Sequence, residues 1–442
     1  MKISVEGFKS IKSLHGFEIA PINIMAGINS SGKTSLSQVL LLLKQTLETD
    51  SSEPLQLSGP YVFADSLKDL LYGKTVRTKL VIDLVFDKND LAGDFDWSRF
   101  LRGDDVKNVT LHLEMKANAS IHVVNVRIDL KGDFKAGFVQ CYSSVSNNKA
   151  TLKSSDGVLV GLADERERVQ IEDGILEMRA FLPIYFSGQD SKTGQKRLIS
   201  IDVFKNMREF LRSYLAKIYY IAPIRIKPAL AQSYEVTPKW NVVEPDGSNT
   251  RYILNEQKDM RLNDGTTLGK AVNLWVEKLG LAQSVEMQKD SKSLYRSYLK
   301  NRQGLIVDLC HMGFGISQIL PIIVQGLLLP PGGMLVVEDP EVHMHPSVQA
   351  GLVDFFLMLS EQGKNVLIET HSDHVVTRLR RRVAEGYKPD CVNLTFVQNT
   401  PSGSLYTKIG LTGQGAFSEV LPEGFLDSQD SDFRAIIKAS AK

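Results

Sequence analysis

The chain has only three cysteines in 442 residues, Cys141, Cys310 and Cys391, far apart and with no Cys-x-x-Cys among them. That excludes a sequence-evident zinc knuckle or disulfide framework and indicates a reduced, cytosolic setting. Neither sign of charge is in excess. With 52 Lys and Arg against 51 Asp and Glu, the formal charge is +1, and no whole-molecule field draws the chain to nucleic acid or a membrane. Long apolar runs are missing as well: the longest, around 319–329, is too short to span a bilayer and carries Gln325. The opening residues, Met1-Lys-Ile-Ser-Val-Glu-Gly-Phe-Lys, lack the uncharged stretch of a secretory signal. Nothing between residues 80 and 300 keeps an apolar a/d pattern over roughly three or four heptads, which excludes a long coiled-coil arm. Internal repeats and low-complexity tracts are also absent. A soluble chain with room for two or three domains remains.

Against these absences stands one dense stretch. Gly27, Gly32, Lys33 and Thr34 fit the phosphate-loop spacing G-x-x-x-x-G-K-[ST] without a mismatch. Before it, Ile22 to Ala26 reads as a short buried strand. After it, Leu36, Val39, Leu40, Leu43 and Leu47 recur at helical spacing. A strand feeding a glycine turn into a helix N-terminus gathers unpaired N–H groups and the positive end of the helix dipole, where a polyphosphate binds. Asn29, Ser30, Ser31, Gly32, Lys33, Thr34 and Ser35 are therefore candidate nucleotide-binding residues. In this motif Lys33 reaches the β- and γ-phosphates and the Thr34 hydroxyl holds Mg²⁺, so ATP and Mg are the expected ligands.

Elsewhere the periodicity changes along the chain. Residues 2–6 and 16–20 read as strands. From 78 to about 161, Val109, Leu111 and Leu113, and later Val124, Val126, Ile128 and Leu130, alternate with polar residues as in a half-buried antiparallel sheet. Residues 162–200 are uninformative. A helix is predicted over 203–218, then a strand stopped by Pro223 and Pro228, a polar stretch over 229–262 and a helix near 268–279. From Leu305 the pattern predicts a helix (319–329), a strand (334–337), a helix (347–360), a strand (365–368) and a basic helix (373–385).

Met334-Leu-Val-Val-Glu338-Asp339-Pro-Glu341 is an apolar strand ending in adjacent acids, the form of a Walker B element. Three further motifs accompany it: Met312-Gly-Phe-Gly-Ile-Ser-Gln318 at the start of an apolar helix, His343-Met-His345-Pro346 after the acids, and Glu369-Thr-His371-Ser-Asp after the next strand. With Gly7-Phe-Lys-Ser-Ile, Leu55-Gln-Leu-Ser-Gly-Pro, Tyr220-Ile-Ala-Pro-Ile-Arg225, Val243-Glu-Pro-Asp-Gly and the tail over 413–425, they resemble ABC-type AAA ATPases of the SMC, RecF and OLD (overcoming lysogenization defect) group. The resemblance spans nearly the whole chain.

The resemblance implies that Glu338 positions Mg²⁺ through water and Asp339 activates the attacking water. His371 is implied as the switch histidine at the γ-phosphate. Gly315 and Ser317, in the signature, would cap the γ-phosphate held by the opposite protomer, and the His343–His345 D-loop would cross that interface. The implied catalytic set is Asp339, Glu338 and His371, and the metal set Thr34 and Glu338. In the family the acids run Asp-Glu or Glu-Glu. Here the shorter Asp339 draws the carboxylate back by about one methylene, a geometry compatible with slow hydrolysis.

The expected fold is α/β, an ABC-type P-loop ATPase head with an inserted antiparallel β lobe and a helical segment. Its parts are an ATPase lobe with the phosphate loop (1–78), the β insert (79–200), a helical and linker segment (201–300), a second ATPase lobe (301–390) and a C-terminal extension (391–442). The expected protein is a cytoplasmic ATP hydrolase that forms an ATP-dependent homodimer or higher even oligomer and contacts no membrane. No Toprim-like acid cluster follows residue 390, so a separately encoded nuclease or toxin is the expected effector, as in Septu-like and PARIS-like anti-phage systems. The alternative is a compact RecF-like DNA-binding ATPase of repair. Some readings stay open. The cluster Arg378–Arg382 could meet DNA or be a solvated or partner-facing helix. Arg225 could be a fixed surface residue or reach the nucleotide. Phe8 and Lys9 could lie near adenine or simply end a strand, and Glu341, His343 and His345 could be read as zinc ligands.

Overall fold

The computed structural model describes residues 1–49, 51, 53–91, 96–97, 100, 105–117, 121–143, 150–155, 170–189, 196–227, 232–233, 241–289, 294–311, 314–422 and 439. The chain opens with strands β1 (Lys2–Phe8), β2 (Ile11–Glu18) and β3 (Ile22–Ala26), the last leading to helix α1 (Lys33–Thr49). A short α2 (Leu67–Leu70) precedes β4 (Lys79–Asp87), β5 (Asn108–Ala117), β6 (Ile121–Lys131), β7 (Ala136–Ser143), β8 (Ala150–Ser154), β9 (Gln170–Arg179), β10 (Leu182–Gln189) and β11 (Lys196–Ser200). Next come α3 (Asp202–Ala216), β12 (Ile218–Ile221), β13 (Gln232–Ser233), α4 (Thr250–Gln257), α5 (Leu268–Lys278), β14 (Ser284–Lys289), β15 (Leu294–Lys300) and β16 (Ile306–Asp308). The last run is α6 (Phe314–Leu328), β17 (Met334–Glu338), α7 (Pro346–Glu361), β18 (Asn365–Thr370), α8 (Asp373–Ala384), β19 (Val392–Thr400) and β20 (Gly403–Ile409). Among the described residues no helix is long and apolar enough to cross a membrane.

These elements fall into two compact units. The first comprises Met1–Ile19, Ser35–Ala216 and Asn399–Leu405. It holds a ten-stranded sheet in the order β11-β10-β9-β8-β7-β6-β5-β4-β1-β2, antiparallel at every step. On β5, Val109, Leu111, Leu113, Met115 and Ala117 are buried while the residues between them are half-exposed, the alternation of a sheet with one covered face. The other face carries polar pairs: His112 Nδ1 lies 2.6 Å from Asp83 Oδ1, and Lys79 pairs with Glu114. Helix α3 buries Met207, Phe210 and Leu211, and Phe210 meets Phe86 edge-on with centroids 4.9 Å apart.

The second unit comprises Ala20–Thr34, Lys217–Gln398 and Tyr406–Lys442. Its sheet runs β12-β17-β18-β3-β19-β20, and the pairings from β12 to β19 are parallel. β3 and β17 are buried at every position and β18 at every position but its first. Near-continuous apolar runs, interrupted in β3 by the buried Asn23, are what a parallel sheet covered on both faces requires. The covering side chains include Trp275 of α5, Ile323 of α6, Phe355 of α7 and Leu379 of α8. A smaller sheet, β13-β15-β14 with β16 on β15, completes this unit.

The fold is α/β with an antiparallel β lobe, as the periodicity and motifs predict, but several segments differ. The strand expected over 16–20 is β2, shifted to 11–18, because it closes a hairpin on β1 with Phe8 opposite Ile11. Residues 1–19 count with the antiparallel unit rather than with the phosphate loop, since β1 pairs along β4. The polar stretch 229–262 contains α4, which buries Tyr252, Ile253 and Leu254. The segment 201–300, read as helical, also holds β12 and the antiparallel pair β14–β15. The tail, expected as an extension beyond residue 390, instead supplies β19 and β20 to the parallel sheet, with Leu394 level with Ile24. Met312, Gly313 and most of the tail beyond 422 lie outside the described residues.

Candidate nucleotide site

In the second unit the carboxyl ends of β17, β18 and β3 lie side by side. Glu338 is level with Glu369, and Thr370 with Ala26. In open parallel sheets that end is where ligands bind. The loop from β3 to α1 needs its first glycine: a Cβ at Gly27 would sit 2.3 Å from the Val397 carbonyl oxygen. Ser30 (φ +59°), Asp339 (φ +43°) and His343 (φ +61°) are three of the six non-glycine residues with positive φ among the described residues. Each falls in a motif loop. Such backbone costs of order 1–3 kcal/mol per residue and collects where a loop is shaped for a ligand.

Lys33 Nζ donates to the carbonyls of Gly27 and Ile28, both at 3.0 Å, and lies 3.0 Å from His371 Nε2. An ammonium can bond to that ring nitrogen only if the imidazole is neutral and accepts. The pKa directions agree: burial, then the charge of Lys33, lowers His371, and burial lowers Lys33 against the pull of Asp339, Glu369 and Glu341. Thr34 Oγ1 donates to Glu369 Oε2 at 2.6 Å, and the Tyr406 hydroxyl donates to the Gly32 carbonyl at 2.6 Å. Burial, helped by Glu369, raises the Tyr406 phenol.

The Walker B acids are held from β12 and the loop after it. The Tyr220 hydroxyl donates to Glu338 Oε1 at 2.8 Å, and Arg225 Nη2 donates to the Glu338 carbonyl at 2.7 Å. Arg225 is 4% exposed, and burial lowers its guanidinium to about 10 even with Asp339 and Glu341 nearby. It is thus neither the surface residue of one reading nor, in this arrangement, free to swing. Asp339 N–H donates to the Glu369 carbonyl at 2.9 Å, and Asp339 Oδ1 lies 3.7 Å from His371 Nε2. Glu341 Oε1 accepts from the His371 N–H at 2.5 Å, and burial raises the Glu341 pKa. Gln349 of α7 donates to the Met344 carbonyl at 2.9 Å and accepts from Ser372 Oγ at 2.6 Å, tying the D-loop backbone to the residue after His371.

The structure therefore gathers Lys33, Thr34, Glu338, Asp339 and His371, with Asn29, Ser30, Ser31 and Gly32 on the loop between β3 and α1. Ser35 counts with the first unit, where its hydroxyl lies 2.8 Å from that of Ser10. Gly315 lies beside the D-loop: a Cβ there would be 3.5 Å from both the His343 carbonyl oxygen and Met344 Sδ. Ser317 lines a small recess with Thr250, Arg251 and Leu320. Phe8 and Lys9 belong to the first unit, where Lys9 donates to Gln38. Sequence reasoning missed Glu369 as a bonding group, as well as Tyr406 and Gln349. Glu369 had a signal, an acid directly after the apolar run Val366, Leu367 and Ile368; Tyr406 and Gln349 had none.

Thr34, Glu338 and Glu369 offer oxygen donors only, the set a hard cation such as Mg²⁺ takes, with one or two carboxylates beside phosphate and water. No group of three or more His, Cys, Asp or Glu able to hold a metal occurs among the described residues, which leaves the zinc reading of Glu341, His343 and His345 without a cluster. The arginines of α8 are engaged within their own unit. Arg382 donates to both Asp354 oxygens, at 2.7 and 2.8 Å, Arg381 to Glu385, and Arg380 to the Gly415 carbonyl while lying over Phe417.

A phosphate loop, paired acids and a histidine at the carboxyl ends of a parallel sheet define a P-loop ATPase. The chain belongs to the AAA ATPase domain family AAA_15, whose model matches residues 1–376, and the resemblance to SMC- and RecF-like ABC-type AAA ATPases stands with it. No curated protein matches the chain. Among solved structures it is similar to the SMC head domain from Thermotoga maritima, with 11% identity, a TM-score of 0.40, and 93% of this chain and 98% of that one covered. It is also similar to the Smc head domain with an extended coiled coil bound to the C-terminal domain of ScpA derived from Pyrococcus furiosus, at 10% identity, TM-score 0.47 and 98% coverage of both chains.

Proposed function

We propose that this chain binds and hydrolyses ATP with Mg²⁺, pairs with a second copy of itself around the nucleotide, and controls a separately encoded nuclease or toxin in bacterial anti-phage defence. The observation that carries the reading is the meeting of Lys33, Thr34, Asp339 and His371 at the ends of neighbouring parallel strands. Lys33, now bonded to its own loop carbonyls, would turn to the β- and γ-phosphates. Thr34 and Glu338 would hold the cation, which supplies charge neutralisation on the phosphates. Asp339 would take the proton of the attacking water, and neutral His371 would bond to the γ-phosphate. Gly315 and Ser317 would cap the nucleotide of the opposite protomer, with the D-loop from Glu341 to His345 at the interface. None of the three cysteines is in a disulfide, which accords with a cytoplasmic protein. The engaged α8 arginines favour a partner effector over a RecF-like DNA clamp.

Steady-state turnover of Asp339→Asn against the unmodified chain tests the chemistry. A drop of about 100-fold or more with nucleotide binding kept is expected, and equal rates overturn it. Light scattering of Asp339→Asn with ATP should give an even oligomer; a monomer sinks the pairing. Cells carrying the chain with its neighbouring gene should lose phage protection on Lys33→Ala; unchanged protection, or none to begin with, overturns the defence role.

A further inference from the structure

The phosphate-loop motif begins on Gly27, and Gly32 stands where the loop turns into α1, with φ at +99°. Glycine reaches that conformation without strain, but it also leaves the backbone free to take others, so a fixed loop needs support from outside itself. Lys33 bonds to the carbonyls of Gly27 and Ile28, yet in the ATP reading it leaves them for the phosphates. Two supports that do not depend on Lys33 come from the last two strands. At the first glycine, β19 lies so close that a Cβ on Gly27 would sit 2.3 Å from the Val397 carbonyl oxygen. At the other end of the loop, Tyr406 of β20 donates its hydroxyl to the Gly32 carbonyl at 2.6 Å, short for an O–H donor. Burial, helped by Glu369, raises the Tyr406 phenol, so the hydroxyl keeps its proton and stays a donor. The residues that match the family model end at 376, before either strand begins.

The tyrosine bond fixes more than one atom. The Gly32–Lys33 peptide is trans, and in a trans peptide the C=O and the following N–H point in opposite directions. Lys33 is the first residue of α1, where a backbone N–H has no acceptor within the helix. With the Gly32 carbonyl turned to Tyr406, the Lys33 N–H faces away from the tyrosine and out of the helix N-terminus, where the dipole favours a phosphate. A peptide beside a glycine rotates easily once released. Rotated, this one would present a carbonyl oxygen, which repels phosphate, in place of the N–H.

Resting on the proposed ATP reading, we infer that Tyr406 is a positioning residue for the nucleotide: its hydroxyl holds the Gly32–Lys33 peptide plane so that the Lys33 N–H meets a phosphate oxygen. The phosphate loop is then completed by strands more than 350 residues further along the chain, not by its own motif alone.

The test uses ADP with EDTA, so that no cation takes part. ADP affinity of the full chain is titrated calorimetrically, and the phosphorus NMR signal of the bound β-phosphate is recorded. Tyr406→Phe keeps the ring and removes only the hydroxyl. Its ADP affinity should fall about 3- to 10-fold, the loss of one neutral hydrogen bond, and the bound β-phosphate signal should shift. Unchanged affinity overturns the inference even if denaturant stability falls, because the bond is then merely structural. Lower affinity with the signal unmoved overturns it too, since the loss then lies away from the phosphate. Should Tyr406→Phe fail to fold, 4-aminophenylalanine at position 406 keeps the ring and one donor. Its affinity should stay within about twofold of the unmodified chain, and a larger loss overturns the inference. If the unmodified chain does not bind ADP, the ATP reading fails and this one with it, before any variant is made. If it binds and Tyr406→Phe binds equally well, only this inference fails.

Discussion

In the ten-stranded antiparallel sheet β5 buries every second residue, whereas in the parallel sheet β17 buries all five. The first pattern leaves one face to polar groups, so charged residues such as Glu114 and Arg127 are ordinary there and say little about function. Covered on both faces, the second leaves polar groups few places except strand ends. A charge at such an end is informative. Glu338 closes β17, and Glu369, the last residue but one of β18, lies level with it; both belong to the candidate site. The same residue type thus carries different weight in the two sheets, and burial decides which.

Four substitutions would break or sharpen this contrast. The largest effect is expected at the loop where the parallel sheet meets the nucleotide. Gly27→Ala sets a Cβ 2.3 Å from the Val397 carbonyl oxygen, so a loss of about 3 kcal/mol in denaturant stability is expected, with ATP affinity down about 100-fold in titration. Near-parental affinity would show that the loop relaxes and that its shape is not set by β19.

A reciprocal exchange compares the sheets directly. Val336→Thr buries a hydroxyl in β17 and should cost about 1–3 kcal/mol by urea unfolding. Thr110→Val on the half-exposed face of β5 should stay within about 0.5 kcal/mol. Equal costs would mean that the two sheets are not differently covered.

The smallest effect comes from a polar pair of the antiparallel sheet. The bond to Asp83, set against burial, raises the His112 pKa above its ordinary 6.5. The folded chain then holds this proton more tightly than the unfolded chain does. The stabilisation is complete below about pH 6.5 and fades as pH rises through the folded pKa. A fall in melting temperature of about one or two degrees between about pH 6 and 8 is expected, and Asp83→Asn should flatten it. An identical slope in both proteins would exclude the pair as its source.

Much of the site was legible because its parts are local. Gly27 to Thr34 is one turn, and Met334 to Glu338 is one strand with its acid at the end. Less legible were pairs separated by hundreds of residues. Nothing near Thr34 announces Glu369, and nothing near Gly32 announces the Tyr406 hydroxyl. The β14–β15 pair was passed over because each strand is short and its apolar residues alternate with Glu, Gln and Lys, which linkers also carry. The tail misled for another reason: its apolar run over 392–397 looks like any short buried segment until β3 stands beside it.

By itself the amino-acid order determined the nucleotide loop, the two kinds of sheet and the acids and histidine that close two strands, since spacing and periodicity are properties of neighbouring residues. The tertiary structure alone decided that Glu338 and Glu369 stand level, that Thr34 bonds to the second of them, that Arg225 is buried behind the first, and that β19 completes the parallel sheet. Strand order and register arise from packing between segments remote in the chain, and no local pattern encodes which strands become neighbours.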